Sequence, residues 1–213
     1  MIDACPATHG IAIGPDSRSV LVACYDDHVA RIDLGSLDAT PPGGRIEVVA
    51  TYTAMLAIRA ILAARMLIEQ DPDYTYVTSR LLLHTIRREV LGEEVSQADM
   101  KTRYAEYFPQ FVRRGVEAEL LDPRLATYDL RKLGLALDAA RDFQFGYLGL
   151  QTLYDRYFLH IEERRIELPQ AFFMRVAMGL ALNEIDREAR AVEFYRLLSS
   201  FDLMSSTPTL FNS

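Results

Sequence analysis

The residues best suited to chemistry in this 213-residue chain lie at its C-terminal end, in the run Ser205-Ser-Thr-Pro-Thr-Leu-Phe-Asn-Ser213. Ser205, Ser206, Thr207 and Thr209 place four hydroxyls within five positions, and Pro208 fixes the backbone among them. Short hydroxyls beside free backbone N–H groups suit an oxyanion such as a phosphate, because they donate at low desolvation cost. A polar turn leading into a strand has the same composition, and the residues alone leave both readings open. Elsewhere catalytic groupings are sparse. The four histidines stand at 9, 28, 84 and 160. His84 has no second ligand at i+3 or i+4 and reads as a core or helix-surface residue. Glu93-Glu94 and Glu162-Glu163 are adjacent pairs whose side chains diverge, poor material for a general acid/base couple. Cys5 and Cys24 lack metal-type spacing and read as free thiols rather than a zinc site or a disulfide framework. No GxSxG, Walker A or GxGxxG pattern occurs, so a nucleophile elbow and P-loop or Rossmann nucleotide binding have no support.

Composition bounds the class. Half the residues are hydrophobic and a quarter charged, the balance of a globular chain, and the length favours one domain with a small appendage. A net charge of −7 and an isoelectric point near 5.2 set the overall field against nucleic acid. Arg87-Arg88 and Arg113-Arg114 are read as the solvated ends of helices. The apolar stretches 54–68 and 171–182 are interrupted by Arg59 and Arg65 and by Arg175, which argues against a membrane span. The start, Met1-Ile-Asp-Ala-Cys5, has neither a basic nor an apolar signal region, so a cytoplasmic location is expected.

The elements that would position these groups change character near residue 45. Before it, Ser19-Val-Leu-Val-Ala-Cys24 and His28-Val-Ala-Arg-Ile32 are β-favouring runs about a turn at Tyr25-Asp-Asp27, and Thr40-Pro-Pro-Gly-Gly44 reads as a linker. Residues 10–34, with Pro15-Asp-Ser-Arg18 and a β-pair ending Arg31-Ile-Asp33, resemble one repeat of a YVTN-type β-propeller. No second copy follows, and a single blade cannot bury its sheet, so a whole propeller is not expected. From residue 46 the pattern is helical. Helices are predicted over 51–69, over 73–91 with Gly92 at C′, and from Ser96 onward with Met100, Tyr104, Tyr107 and Phe111 on one face and a division at Pro109. Asp122-Pro123 opens a short turn of helix. Phe143, Tyr147, Leu150, Tyr154 and Tyr157 form a stripe that reads as core rather than as a base-stacking platform. A small β-hairpin is expected from 157–161 and 165–168, then an apolar helix over 169–182. A last helix, capped by Asn183 or Asp186, buries Ala189, Val192, Tyr195 and Leu198. Residues 201–213 read as extended because of Pro208.

Three runs resemble the large, catalytic subunit of class I ribonucleotide reductase, in that family's order: Arg141-Asp-Phe-Gln-Phe-Gly-Tyr-Leu-Gly-Leu-Gln-Thr-Leu-Tyr-Asp-Arg-Tyr157, Leu168-Pro-Gln-Ala-Phe-Phe-Met-Arg-Val-Ala-Met-Gly-Leu180, and the hydroxyl-rich 205–213. Asp71-Pro-Asp-Tyr-Thr-Tyr-Val-Thr-Ser-Arg-Leu-Leu-Leu-His84 resembles the stretch before that family's helical domain. The likeness extends over about residues 50–213. It implies a mainly α fold: the helical N-terminal domain of a reductase large subunit, with a small β-hairpin and the first strand leading into a ten-stranded α/β barrel, behind a short β-rich N-terminal segment. The expected divisions are 1–45, 46–91 (helices resembling the end of an ATP-cone), 92–202 and 203–213.

The resemblance further implies that Thr209 hydrogen-bonds the diphosphate of a ribonucleoside diphosphate, with Ser206 and Ser213 as weaker candidates and Thr207 as a neighbour without a clear role. The family reaction removes the ribose 2′-OH: a thiyl radical takes the 3′-hydrogen, and a cysteine pair, helped by a Glu and an Asn, supplies electrons. Those groups lie downstream of the motif in the family, so no catalytic residue is assigned here, and the chain alone is expected to be an inactive fragment of a chimeric or truncated reading frame. Residues 1–45 have no basic, glycine-containing phosphate clasp, and no ATP-site residues are assigned. The expected segment binds no metal or cofactor itself. The family uses ATP and dNTP effectors, a small subunit whose metal centre generates the radical, and a homodimer partner. Neither nucleic acid nor membrane is an expected partner. The competing expectation is a non-catalytic helical module that binds another protein.

Overall fold

The computed structural model describes residues 8–13, 19–24, 28–33, 46–203 and 205–212, with side-chain surroundings over 57–203 and 205–210. The chain divides into two compact units, residues 1–63 and 64–213.

In the first unit, β1 (Thr8–Ile13), β2 (Ser19–Cys24), β3 (His28–Asp33) and β4 (Ile46–Thr51) form an antiparallel meander in sequential order. Val22 lies opposite Ala30, and Ala30 opposite Val48. The strands β2 and β3 fall where their β-favouring runs place them. β4 is a correction, because a helical pattern was expected from residue 46. Ile46-Glu-Val-Val-Ala-Thr51 is rich in β-branched residues and gains a ladder against β3. Helix α1 (Tyr52–Met66) follows directly.

The second unit is helical. α2 (Tyr74–Leu91) ends where Gly92 takes φ 78° and its N–H donates to the Arg88 carbonyl at 2.9 Å, the left-handed stop that glycine adopts without strain. α3 (Met100–Glu117) buries Met100, Tyr104, Phe108, Phe111 and Val112 and runs straight through Pro109. The expected break is absent because the buried face continues on both sides of the proline, and that packing outweighs a penalty of about 3 kcal/mol. A 3₁₀ turn at Pro123–Thr127 is capped by Asp122, which accepts from the Arg124 N–H at 2.8 Å. α4 (Leu130–Leu135), a second 3₁₀ turn at Ala139–Gln144, and α5 (Tyr147–Arg156) come next. The expected hairpin is present but shorter: β5 (His160–Ile161) pairs with β6 (Arg164–Arg165) around Glu162 and Glu163.

α6 (Pro169–Ala181) is buried on nearly every side and forms the centre of this unit. Pro169 fits its first turn, where the missing N–H is not needed. α7 (Arg187–Ser199) packs against it and is capped by Asp186, which accepts from the Ala189 N–H. Its buried side is Ala191, Tyr195 and Leu198; contrary to expectation Val192 is only half-buried and Ala189 is exposed, the latter because it lies on the face opposite Ala191.

Helix packing leaves little room for a side chain at one glycine. Pro109 has no N–H to give the Ala105 carbonyl, and Gly134 of α4 sits directly against that oxygen. A Cβ at Gly134 lies 3.0 Å from Ala105 O and 3.3 Å from its Cα. Gly134→Ala is therefore expected to lose about 1–2 kcal/mol, even though alanine has the higher helix propensity. Urea unfolding measures this, and an unchanged or higher midpoint refutes it.

Candidate functional site

The hydroxyl-rich segment is not extended. Residues 207–212 form a short helix, α8 (Thr207–Asn212). Pro208 lies in its first turn, where a missing N–H does no harm, and the Ser206 carbonyl accepts from the N–H groups of Thr209 at 3.1 Å and Leu210 at 3.3 Å. Thr209 is half-buried, Ser206 and Thr207 are exposed, and Leu210 is buried. α8 packs against α6. The Tyr157 hydroxyl, just past the end of α5, lies 3.3 Å from Thr207 Oγ1. Ser213 lies outside the described residues, as do Cys5 and the side chains of Cys24, His9 and His28.

The chain enters this segment through an unusual residue. Phe201, just after α7, has φ 63°, a conformation costing a bulky residue roughly 1–2 kcal/mol. Its ring meets Phe145 edge-on at 5.1 Å and Phe173 at 6.0 Å, and these contacts offset the strain.

A sealed polar network lies in the core of this unit. Arg87 Nη2 of α2 donates to Asp142 Oδ2 at 2.7 Å, and Tyr104 and Gln170 donate to the same carboxylate at 3.0 and 2.9 Å. The Tyr195 hydroxyl donates to Gln170 Oε1 at 2.8 Å and accepts from the Asp138 N–H at 2.8 Å. Asp142 is 1 % exposed and Tyr104 and Gln170 are wholly buried, so no substrate reaches them. What the network does is join α2, α3, α6, α7 and the second 3₁₀ turn. Burial raises the Asp142 carboxyl above its usual range, against the pull of Arg87. Burial first, then the Asp142 charge, drives the Tyr104 phenol well above 10, and burial pushes Tyr195 up to about 12. Both phenols stay protonated at neutral pH and can donate.

A second buried pair sits inside α6 and just before it. Arg175 Nε donates to Glu167 Oε1 at 2.7 Å, and Glu167 Oε2 accepts from the Leu159 N–H at 2.9 Å. The hairpin is tied to α2 through Glu89, which accepts from the Tyr154 hydroxyl and the Arg165 N–H, each at 2.7 Å. Burial and Glu89 together push the Tyr154 phenol up to about 12.

Several expectations are corrected by this geometry. Arg87 is buried rather than solvated, whereas Arg113 and Arg114 are exposed as expected. Of the aromatic stripe only Leu150 is fully buried. Phe143 lies on the 3₁₀ turn and is exposed, because Gly146 separates that turn from α5; Phe145 and Phe158 fill the core instead. His84 and His160 are exposed. Among the described residues no group of three or more His, Cys, Asp or Glu side chains is placed to hold a metal ion, and no helix is long and apolar enough to cross a membrane. A cleft of about 690 Å³ lies between α3 and α4, lined by Glu106, Gln110, Arg113, Asp129, Arg131 and Leu135. Sequence reasoning missed Arg87, Asp142, Gln170 and Glu167, since nothing near any of them in the chain marks them as partners.

These features define a mainly helical domain with one small hairpin, organised on buried polar pairs, that holds a hydroxyl-bearing segment against α6. Residues 143–213 match the family described as the all-alpha domain of ribonucleotide reductase. The ribonucleoside-diphosphate reductase subunit alpha of Chlamydia trachomatis serovar D is 45% identical over 158 residues, covering 74% of this chain and 15% of that protein. The corresponding subunit of Helicobacter pylori is 41% identical over 143 residues, 67% of this chain and 17% of that protein. The large subunit of Danio rerio is 33% identical over 146 residues, 68% and 18% respectively. Over these residues the chain belongs to the ribonucleotide reductase large-subunit family, of whose members it spans about a sixth.

Proposed function

We propose that this chain is the N-terminal portion of a ribonucleoside-diphosphate reductase large subunit, an oxidoreductase making deoxyribonucleotides for DNA replication. The observation that carries the reading is the 45% identity to the Chlamydia subunit over 158 residues. In this reading the helical unit is scaffold. It presents the segment 205–213 to a ten-stranded α/β barrel, where Thr209 hydrogen-bonds the substrate diphosphate, with Ser206 and Ser213 as weaker candidates for the same role. Partners are a radical-generating small subunit with its own metal centre and a second large subunit, and ATP and dNTPs act as allosteric effectors of the whole enzyme in the cytoplasm. Thr209 is half-buried and its N–H donates to the Ser206 carbonyl, so in this reading it is the side-chain hydroxyl that meets a phosphate oxygen. The chemistry itself belongs to thiols outside this chain.

The test is a transplant. The helical unit, residues 64–213, replaces the corresponding segment of the Chlamydia alpha subunit, and CDP reduction is assayed with that enzyme's small subunit. Reduction above background is the expected result; a folded, dimeric chimera without activity overturns the reading. In the active chimera, Thr209→Val is expected to raise KM for CDP about tenfold or more while kcat changes little, the loss of one hydrogen bond to a charged group. An unchanged KM removes Thr209 from the site.

A further inference from the structure

We propose that Tyr157 is a positioning residue: its hydroxyl clasps Thr207 and thereby sets the placement of the hydroxyl-bearing segment 205–212 on the helical domain. The inference deepens the diphosphate reading above and rests on it for its functional meaning. Its structural content stands separately.

The geometry is specific. Tyr157 directly follows α5 and is half-buried, its ring held edge-on to Phe172 of α6 at a centroid distance of 6.3 Å. The ring direction is thus set by the core, and its hydroxyl reaches out to Thr207 Oγ1 at 3.3 Å. These two residues are 50 positions apart, so the contact is a tertiary tie and not a local turn. α8 has only six residues, too few to be stable alone. It is held by the buried side chain of Leu210, by packing on α6 and by this hydroxyl pair. Leu210 fixes how deeply the helix sits, but an apolar contact is tolerant of rotation about the helix axis. A hydrogen bond between the two hydroxyls is directional, and one turn of helix carries its effect to Thr209, two residues on. Tyr157 touches no substrate in this arrangement. It acts through Thr207, and the rotational setting of Thr209 follows.

The experiment uses the 213-residue chain in five forms: unaltered, Tyr157→Phe, Thr207→Val, Thr207→Ser and the Tyr157→Phe/Thr207→Val double variant. Amide hydrogen exchange is followed at Thr209 and Leu210, with Phe172 and Val176 of α6 as internal controls. Tyr157→Phe keeps the ring on Phe172 and removes only the oxygen. It is expected to speed exchange at Thr209 and Leu210 three- to tenfold and to leave the α6 amides unchanged. Thr207→Val does the same, Thr207→Ser restores the unaltered rates, and the double variant is no faster than either single one. Unchanged exchange in Tyr157→Phe overturns the proposal, and so do single effects that multiply in the double variant, since they then act independently. A ³¹P titration with ADP separates the two readings. If the unaltered chain shifts the β-phosphate signal, Tyr157→Phe is expected to weaken that binding at least threefold, with Thr207→Ser again close to normal; equal affinity overturns the proposal. If no form of the chain shifts the signal, diphosphate binding by this segment fails, while the exchange rates still decide the clasp.

Discussion

Arg175→Met is expected to destabilise the helical unit by about 3–5 kcal/mol, the loss typical when one partner of a buried ion pair is removed. Arg175 is 1 % exposed and Glu167 wholly buried. Taking away the guanidinium leaves a carboxylate inside the core with the Leu159 N–H still on one oxygen but without its counter-charge. Against a total stability of about 5–15 kcal/mol, such a loss brings the domain near unfolding. The paired substitution Glu167→Gln/Arg175→Met removes both charges and keeps an acceptor for Leu159, so it is expected to recover most of the deficit. Chemical unfolding of the two variants beside the unaltered chain is the measurement. If Arg175→Met alone costs less than 1 kcal/mol, the pair is not what orders α6 against the hairpin.

The second large effect depends on pH. Arg87→Met strips the counter-ion from Asp142, which keeps hydrogen bonds from Tyr104 and Gln170. The expected loss at pH 7 is again about 3–5 kcal/mol. Asp142 already has its carboxyl raised above 3.8, chiefly by burial, and Arg87 is the main group opposing that rise. Without Arg87 the folded-state value climbs further. A group whose folded pKa exceeds its unfolded one contributes fully below the unfolded value, and that contribution fades as pH rises through the folded value. The variant's deficit is therefore smallest near pH 4 and grows toward neutrality, levelling off once Asp142 is ionised in the native state. Thermal unfolding of both proteins between pH 4 and 7 reads this directly. A deficit that does not vary with pH shows that Asp142 is not the group left uncompensated.

Both pairs were invisible as pairs before the fold was known. Arg87 and Asp142 are 55 residues apart, Asp142 and Gln170 are 28 apart, and Arg87 sits beside Arg88 in what reads as a solvated basic doublet. Only the packing of α2 against the second 3₁₀ turn turns one of the two inward. The family motifs themselves were legible, and residues 143–213 match accordingly. The structure adds the mechanical sense of parts of those motifs: Asp142, Gln170 and Arg175 belong to buried polar contacts, and Tyr157 touches Thr207.

What the residues determined alone is where most elements start and stop. Gly92, Asp122-Pro123, Pro169 and Asp186 act through their own backbone or through groups two or three positions away, and each ends or opens an element where it was expected to. Tertiary structure decided the rest: that α3 continues through Pro109, that residues 46–51 join a sheet, that Arg87 is buried, and that 207–212 coil into a helix against α6. The physical reason is range. Caps and breakers exert forces over one helical turn, whereas a proline's penalty, a charge's burial or a short helix's survival depends on contacts supplied by distant parts of the chain.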